Sequence, residues 1–257
     1  MSSYNLKRLL QPKSIALFGG LWIENVANQI KNSNFKGNVW PINPHRKSIA
    51  GYKCFQDISD LPGVPDTAFI GVNRTKTLEI LTKLNEVGCG GATCFAAGFS
   101  EVDKYGKQLQ KKLSKASKDM PFLGPNCYGY INYLDHIHMW PDQHGGKEVE
   151  KGVAIIAQSS NIAINLTMNT RSTPIAYVLT TGNQAKIDMS DLGLAMINDK
   201  RVTAIGIYIE GFKDIKKFEK MAFSALRSNI PIVVLKSGKT DLSKKQSFSH
   251  TASITGD

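Results

Sequence analysis

Two consecutive α/β units, each built on a parallel sheet, are what the sequence predicts, and three observations carry the prediction. Short apolar runs alternate with helix-length amphipathic stretches almost from end to end. The runs are continuously apolar rather than alternating, which is how strands covered on both faces read. The rhythm breaks once, over 133–151, where the chain is polar and carries three His, a Pro and a Gly-Gly pair. A length of 257 residues suits two units at roughly 150 residues per domain. The expected boundaries are therefore 1–132, a linker at 133–151, and 152–257.

In chain order the expected strands are 14–19, 38–42, 66–72 and 91–96, then 152–158, 175–180, 204–210 and 231–236. Between the third and fourth lies a helix over 75–87, in which Leu78, Leu81 and Leu84 recur at three-residue spacing. A helix is also expected from about Glu24, directly after the first strand and its glycine turn.

Composition removes several classes of function. A hydrophobic fraction of 42% and a charged fraction of 21% exclude a disordered chain. No window of 18 uninterrupted apolar residues exists and the first 13 residues hold no apolar signal core, so a cytoplasmic protein is expected. Cys54, Cys89, Cys94 and Cys127 have no C-x-x-C spacing, which fits a reducing compartment. The net charge of +11 is spread over helical lysines and is densest in 104–118 and 236–245. That scatter argues against nucleic acid or a membrane surface; the charge reads first as solvated helix faces and a mobile loop, with a polyphosphate ligand left as the anionic partner.

The first strand runs into Gly19-Gly20 and then a helix, which places free backbone N–H groups and the positive end of a helix dipole at one point. Phosphate is the natural guest, although the pair could also only close a βα turn. A nicotinamide dinucleotide is disfavoured: the turn reads Gly19-Gly20-Leu21-Trp22 rather than G-x-G-x-x-G, and the second strand ends in Asn43-Pro44 with no ribose-binding carboxylate. The other strand ends that reach this sheet edge carry Arg46, Asn73-Arg74, Ala97-Gly98 and Gly124-Pro125-Asn126-Cys127. Arginines there are charge-assisted donors for phosphate, and Gly98 allows close backbone approach.

In the second half, Gln158-Ser159-Ser160-Asn161 leads a strand into a helix, again an anion site with hydroxyl donors, or simply a helix cap. Gly182-Asn183 follows the next strand. Glu210 closes an otherwise apolar strand, where a carboxylate is costly unless solvated or paired, and so suits a histidine partner. A Gly/Ser/Lys-rich segment then presents His250. His136, His138 and His144 lack a firm third ligand at matching spacing, so no metal is expected.

The series PKSIALFGG, GNVWPINP, GYKCFQDISDLP, AAGFSE and GPNCYGYIN resembles the CoA-binding domain of the NDP-forming acyl-CoA synthetases, relatives of the succinyl-CoA synthetase α-subunit. GVAIIAQSSN, TTGNQ, IYIEGF, PIVVLKSGKT and SHTASITGD resemble the ligase domain of the same family. The resemblance implies a Rossmann-like CoA-binding domain followed by a flavodoxin-like ligase domain. It implies CoA phosphates at Gly19 and Gly20, the nucleotide end near Arg46 and pantetheine along Ala97 and Gly98, with Asn43, Asn73, Asn126 and Cys127 also in the CoA site. Cys127 reads equally as a small buried hydrophobe. In the second domain it implies a phosphorylated His250 oriented by Glu210, with Gln158, Ser159, Ser160, Gly182 and Asn183 around the phosphate. Leu21 and Trp22 stand where the family commonly has a small residue, and could stack on adenine or fill the site. Ser160 and Ala252 replace glycines of the family's Q-S-G and S-H-T-G-S motifs.

The implied reaction makes acyl-CoA from a small carboxylic acid, CoA and ATP through an acyl phosphate. No ATP-grasp module is legible in these residues, so ATP/ADP with Mg is expected on a separate domain or β-subunit, and an oligomer with it. The alternative is a CoA-binding regulatory module of the same fold without turnover.

Overall fold

Burial alternates along the strands in the way a sheet covered on both faces requires. Ile15, Leu17 and Phe69 pack into one core while Ala16, Phe18, Ala68 and Ile70 pack into another on the opposite face. The computed structural model describes residues 4–237, so the expectation for His250 lies outside the described residues.

The first unit contains α1 (Lys7–Leu10), β1 (Ser14–Gly19), α2 (Leu21–Asn32), β2 (Asn38–Ile42), β3 (Ser48–Ile49), β4 (Tyr52–Lys53), β5 (Thr67–Gly71), α3 (Arg74–Glu86), β6 (Ala92–Cys94), α4 (Lys104–Ala116) and β7 (Phe122–Leu123). Its parallel sheet has the order β2-β1-β5-β6-β7, with β3 and β4 forming a small separate hairpin. The order reverses at β1, with α2 and its core on one face and α3 and α4 on the other. That reversal opens a crevice at the strands' carboxyl ends, where α/β sheets bind ligands. The lysine-rich 104–118 stretch is largely α4, which buries Leu109 and Leu113 and leaves its lysines solvated.

The second unit contains β8 (Tyr130–Asn132), β9 (Ile137–Met139), β10 (Gly152–Ala157), α5 (Ser160–Thr167), β11 (Ile175–Thr180), α6 (Met189–Ile197), β12 (Val202–Ile209), α7 (Ile215–Arg227) and β13 (Ile232–Lys236). Its sheet runs β13-β12-β10-β11-β8-β9. The first four strands are parallel, and the β8–β9 hairpin joins antiparallel through β11. The hairpin lies across the expected boundary at 132. Tyr130–Asn132 belongs to the second sheet, and the 133–151 stretch contains a strand rather than only a linker, because β11 supplies a partner that makes burying Ile137, Met139 and Trp140 favourable. α2 of the first unit packs on β9, and one apolar core runs through both units.

Candidate functional site

Four of the six helices of eight residues or more in the described chain cap their own N-termini. Asn73 accepts from Lys76 N at 3.0 Å, Asp103 from Gly106 N at 2.5 Å, Asp188 from Asp191 N at 3.1 Å and Asp214 from Lys217 N at 3.0 Å. The exceptions are α2, whose N-cap is Gly20, and α5, whose N-cap Ser159 makes no side-chain cap hydrogen bond. These are the two helices that follow the candidate phosphate turns. Their first-turn N–H groups and dipoles are left for an external anion.

At the first turn, Gly19 lies at φ +143° opposite Gly71 in the β1–β5 register. A Cβ on Gly19 would stand 2.6 Å from the Gly71 carbonyl oxygen, so only glycine fits this approach. Asn43 donates its Nδ2 to Gly19 O at 2.7 Å and accepts from His45 N at 2.9 Å, tying the end of β2 to the glycine turn. Beside them a cleft of about 530 Å³ is lined by Gly19, Gly20, Asn43, Gly71 and Asn73, with charges of both signs from Lys76, Glu79 and Lys83 of α3 and from Asp57, which pairs with Lys83 at 3.0 Å. Leu21 and Trp22 are absent from that lining. Leu21 is 72% exposed, and Trp22 leans across onto Phe95, so neither fills the cleft. Arg46 is held by Glu24 through two bonds of 2.7 and 3.3 Å. That pairing holds the Glu24 carboxyl below its ordinary range, chiefly through the hydrogen bond from Arg46.

The loop between β7 and β8 joins this edge to the second. Asn126 N donates to Ala96 O at 2.9 Å, Asn183 N to Pro125 O at 2.9 Å and Ala185 N to Gly124 O at 2.9 Å. Gly182, at φ +52°, sits so close that a Cβ would lie 2.3 Å from Pro125 O. Its glycine is therefore fixed by packing on this loop. Glu101 completes the joint: its Oε1 accepts from Gly98 N at 2.6 Å and Phe99 N at 3.1 Å, and its Oε2 accepts from Asn183 Nδ2 at 2.5 Å. Asn183 also donates to Gln110 at 3.0 Å. Ala97 is exposed beside this joint. The buried Cys127 thiol points at Thr180 O, 3.1 Å away, and burial pushes its pKa up to about 11. A thiol so placed is neutral at ordinary pH, which supports packing over nucleophilic use.

At the second edge, Gln158 is 5% exposed and its Oε1 accepts from Glu210 N at 2.5 Å and Gly211 N at 2.9 Å. This fixes the end of β12 against the end of β10 and holds Glu210, itself buried, at the mouth of the sheet beside Ser159 and Ser160. Lys236 donates to Glu210 O at 3.0 Å, placing a cation at the same strand end.

The linker histidines are brought together differently. His138 and His144 pack edge-on with ring centroids 4.7 Å apart, and His144 Nδ1 lies 2.9 Å from Tyr133 Oη. His136 is exposed and pairs with Glu148. Burial pushes His138 down to about 3, with the His144 and His136 charges adding to the effect.

Sequence reasoning missed Gly71, Lys76 and Glu101. Gly71 carried a legible signal, a glycine closing the strand before Asn73. Glu101 did not, since its partners are 3 and 82 residues away.

Residues 13–133 match the CoA binding domain family and residues 150–257 the succinyl-CoA ligase like flavodoxin domain family. The chain is 34% identical, over 99% of its length and 36% of the relative's, to an ADP-forming acetate–CoA ligase of Methanocaldococcus jannaschii. It is 28% identical, over 98% of its length and 56% of the relative's, to the α-subunit of ADP-forming acetate–CoA ligase II of Pyrococcus furiosus. Among solved structures, dinucleotide forming acetyl-coenzyme A synthetase 1 of Ca. Korarchaeum cryptofilum in its apo form superposes with a TM-score of 0.87 at 29% identity, over 98% of this chain and 56% of that one. The chain thus spans between about a third and just over half of the relatives it matches. With both domain families present in order and these relatives aligned along nearly its whole length, the chain belongs to the ADP-forming acyl-CoA synthetase family, as its α-subunit-like part.

Proposed function

We propose that this chain is the acid–thiol ligase part of an ADP-forming acyl-CoA synthetase, making acyl-CoA from a small carboxylic acid and CoA through an acyl phosphate and a phosphorylated His250. CoA phosphates bind at Gly19, Gly20 and the first turn of α2, with Asn43, Asn73 and Arg46 about the nucleotide end. Pantetheine runs along Ala97, Gly98, Asn126 and Cys127. ATP, ADP and Mg belong to an ATP-grasp domain or β-subunit, and the assembly works as an oligomer in the cytoplasm.

The observation that carries this reading is the pair of helices without caps of their own, α2 and α5, at neighbouring sheet edges joined by the Gly124–Gly129 loop. Phosphoryl transfer from ATP to an imidazole nitrogen of His250 breaks the bond to ADP. The acid's carboxylate then takes the phosphoryl group, and the CoA sulfur attacks the acyl carbon while phosphate leaves. Ser159, Ser160, Gly182 and Asn183 surround the phosphate, and Glu210, held by Gln158, orients the imidazole and stabilises its charged form.

The test is incubation of the chain with a panel of acyl phosphates and CoA, followed by mass spectrometry of the peptide containing residue 250. Phosphohistidine at that position is expected, slowed about 10²-fold in Glu210→Gln and absent in His250→Ala. No label with any acyl phosphate would overturn the relay, and unchanged labelling in Glu210→Gln would remove Glu210 from it.

A further inference from the structure

We infer that the acyl group handled at this site is planar and aromatic, and that Trp22, Phe95 and Tyr128 form the wall it lies against; the inference rests on the CoA reading above. Three rings from three separate chain segments stand in a row: Trp22 to Phe95 at 4.8 Å and Phe95 to Tyr128 at 5.6 Å between centroids. Phe69 supports Phe95 from β5 at 5.7 Å, and Trp140 meets Tyr128 edge-on at 5.5 Å. Core aromatics are covered on every side, but here Trp22 is 43% exposed and Phe95 and Tyr128 are only half-buried. Among the described residues an aromatic surface is thus left partly exposed at the carboxyl edge of the sheet, the kind of patch that marks a binding site.

Its location points to the acyl end of the ligand. Trp22 follows Gly20, Phe95 precedes Ala96-Ala97-Gly98, and Tyr128 follows Asn126-Cys127, so each ring adjoins a segment proposed to hold CoA. The strand order β2-β1-β5-β6-β7 puts the phosphate turn between two sides. The cleft with Asn43, Lys76 and Lys83 lies on the β2 side, and Trp22 does not line it. A CoA with its nucleotide in that cleft directs its pantetheine towards β6, and its thioester arrives at the rings. The row is closed at its inner end by Trp140, which is fully buried and whose indole N–H has no hydrogen-bond partner among the described residues. Rings at these separations accept another ring in offset or edge-on packing, while a methyl group would cover only a fraction of one face.

The test is calorimetry of the chain with CoA, acetyl-CoA and phenylacetyl-CoA, together with quenching of tryptophan fluorescence by free phenylacetate and by free acetate. Phenylacetyl-CoA is expected to bind about tenfold tighter than acetyl-CoA, and phenylacetate but not acetate to quench. Phe95→Leu and Tyr128→Leu keep an apolar side chain and lose the ring. Each should cut the preference to about threefold or less and leave free CoA affinity within about twofold. A wild-type preference below about twofold would overturn the inference whatever the variants do. So would variants that weaken all three CoA ligands equally, because the rings would then serve CoA itself. Failure of free CoA to bind would count against the CoA reading alone. The quenching then decides the aromatic wall: quenching by phenylacetate retains it, and none removes it.

Discussion

Replacing Gln158 with Leu isolates the bond pair that holds the second edge together. The side chain is 5% exposed, and its amide oxygen accepts from two buried backbone donors, Glu210 N at 2.5 Å and Gly211 N at 2.9 Å. Leucine is of similar reach and offers no acceptor, so both N–H groups are stranded away from water. Each stranded donor costs about 1–3 kcal/mol, which makes the expected loss about 2–6 kcal/mol. For a chain of this size about 2–4 °C of melting temperature goes with each kcal/mol, so thermal unfolding followed by circular dichroism should shift down by at least about 4 °C. Under the proposed relay, labelling of His250 should fall as well, since Glu210 loses the contact that fixes its backbone. A melting temperature within about 1 °C of wild type would refute the reasoning, because it would mean that water or another acceptor already satisfies these donors.

Ser159→Asp supplies α5 with the cap it lacks, at a position already in extended backbone. It should raise stability by up to about 1 kcal/mol in urea unfolding while abolishing acyl-phosphate labelling, through repulsion of the phosphate. Gly19→Ala drives a Cβ into Gly71 O at 2.6 Å and should weaken CoA at least about tenfold by calorimetry. Acid should destabilise the fold through His138, whose folded pKa is lowered to about 3 by burial. Its contribution is complete above the ordinary value near 6.5 and is lost as pH falls from there towards 3, about 2 kcal/mol by pH 5, and His138→Phe should flatten that part of the stability profile. Cys127, raised to about 11 by burial, should resist iodoacetamide at pH 8 in the native chain and react once urea unfolds it.

The parts of the fold legible in the sequence are those whose burial is local. Strands such as 152–158 and 175–180 announce themselves as unbroken apolar runs because helices cover them on both sides. β7, β8 and β9 are two or three residues long. A run that short has no period to read, and the β8–β9 hairpin is a strand pair only because β11 lies beside it. α2 begins at Leu21 rather than near Glu24, since a glycine N-cap carries none of the side-chain signals that mark a helix start. Among the candidate residues, Gly19, Gly20 and Asn43 were readable as parts of a turn, because turn chemistry sits next to them in the chain. Arg46 was readable as a cation but not as the partner of Glu24, and Glu101 not at all, because both roles are set by segments that meet only after folding.

The contrast between helices that cap themselves and helices that do not sets the two candidate anion sites apart from the rest of the fold. An N-terminus closed by its own Asp or Asn is finished structure, and four of the six longer helices are of that kind. An N-terminus closed by glycine, or by a serine that makes no cap bond, keeps its donors available and forgoes between a few tenths of a kcal/mol and about 1 kcal/mol of helix stability by doing so. Neither site alone distinguishes CoA transfer from simple anion binding. The two edges are joined: the Gly124–Gly129 loop bonds to Ala96, Asn183 and Ala185, and Glu101 bonds at once to Gly98 and Asn183, so the edges cannot drift apart without breaking several hydrogen bonds. Under the proposed function, a thiol brought to the first edge and a phosphoryl group at the second would be kept in one frame, which is the positioning that acyl transfer from an acyl phosphate needs.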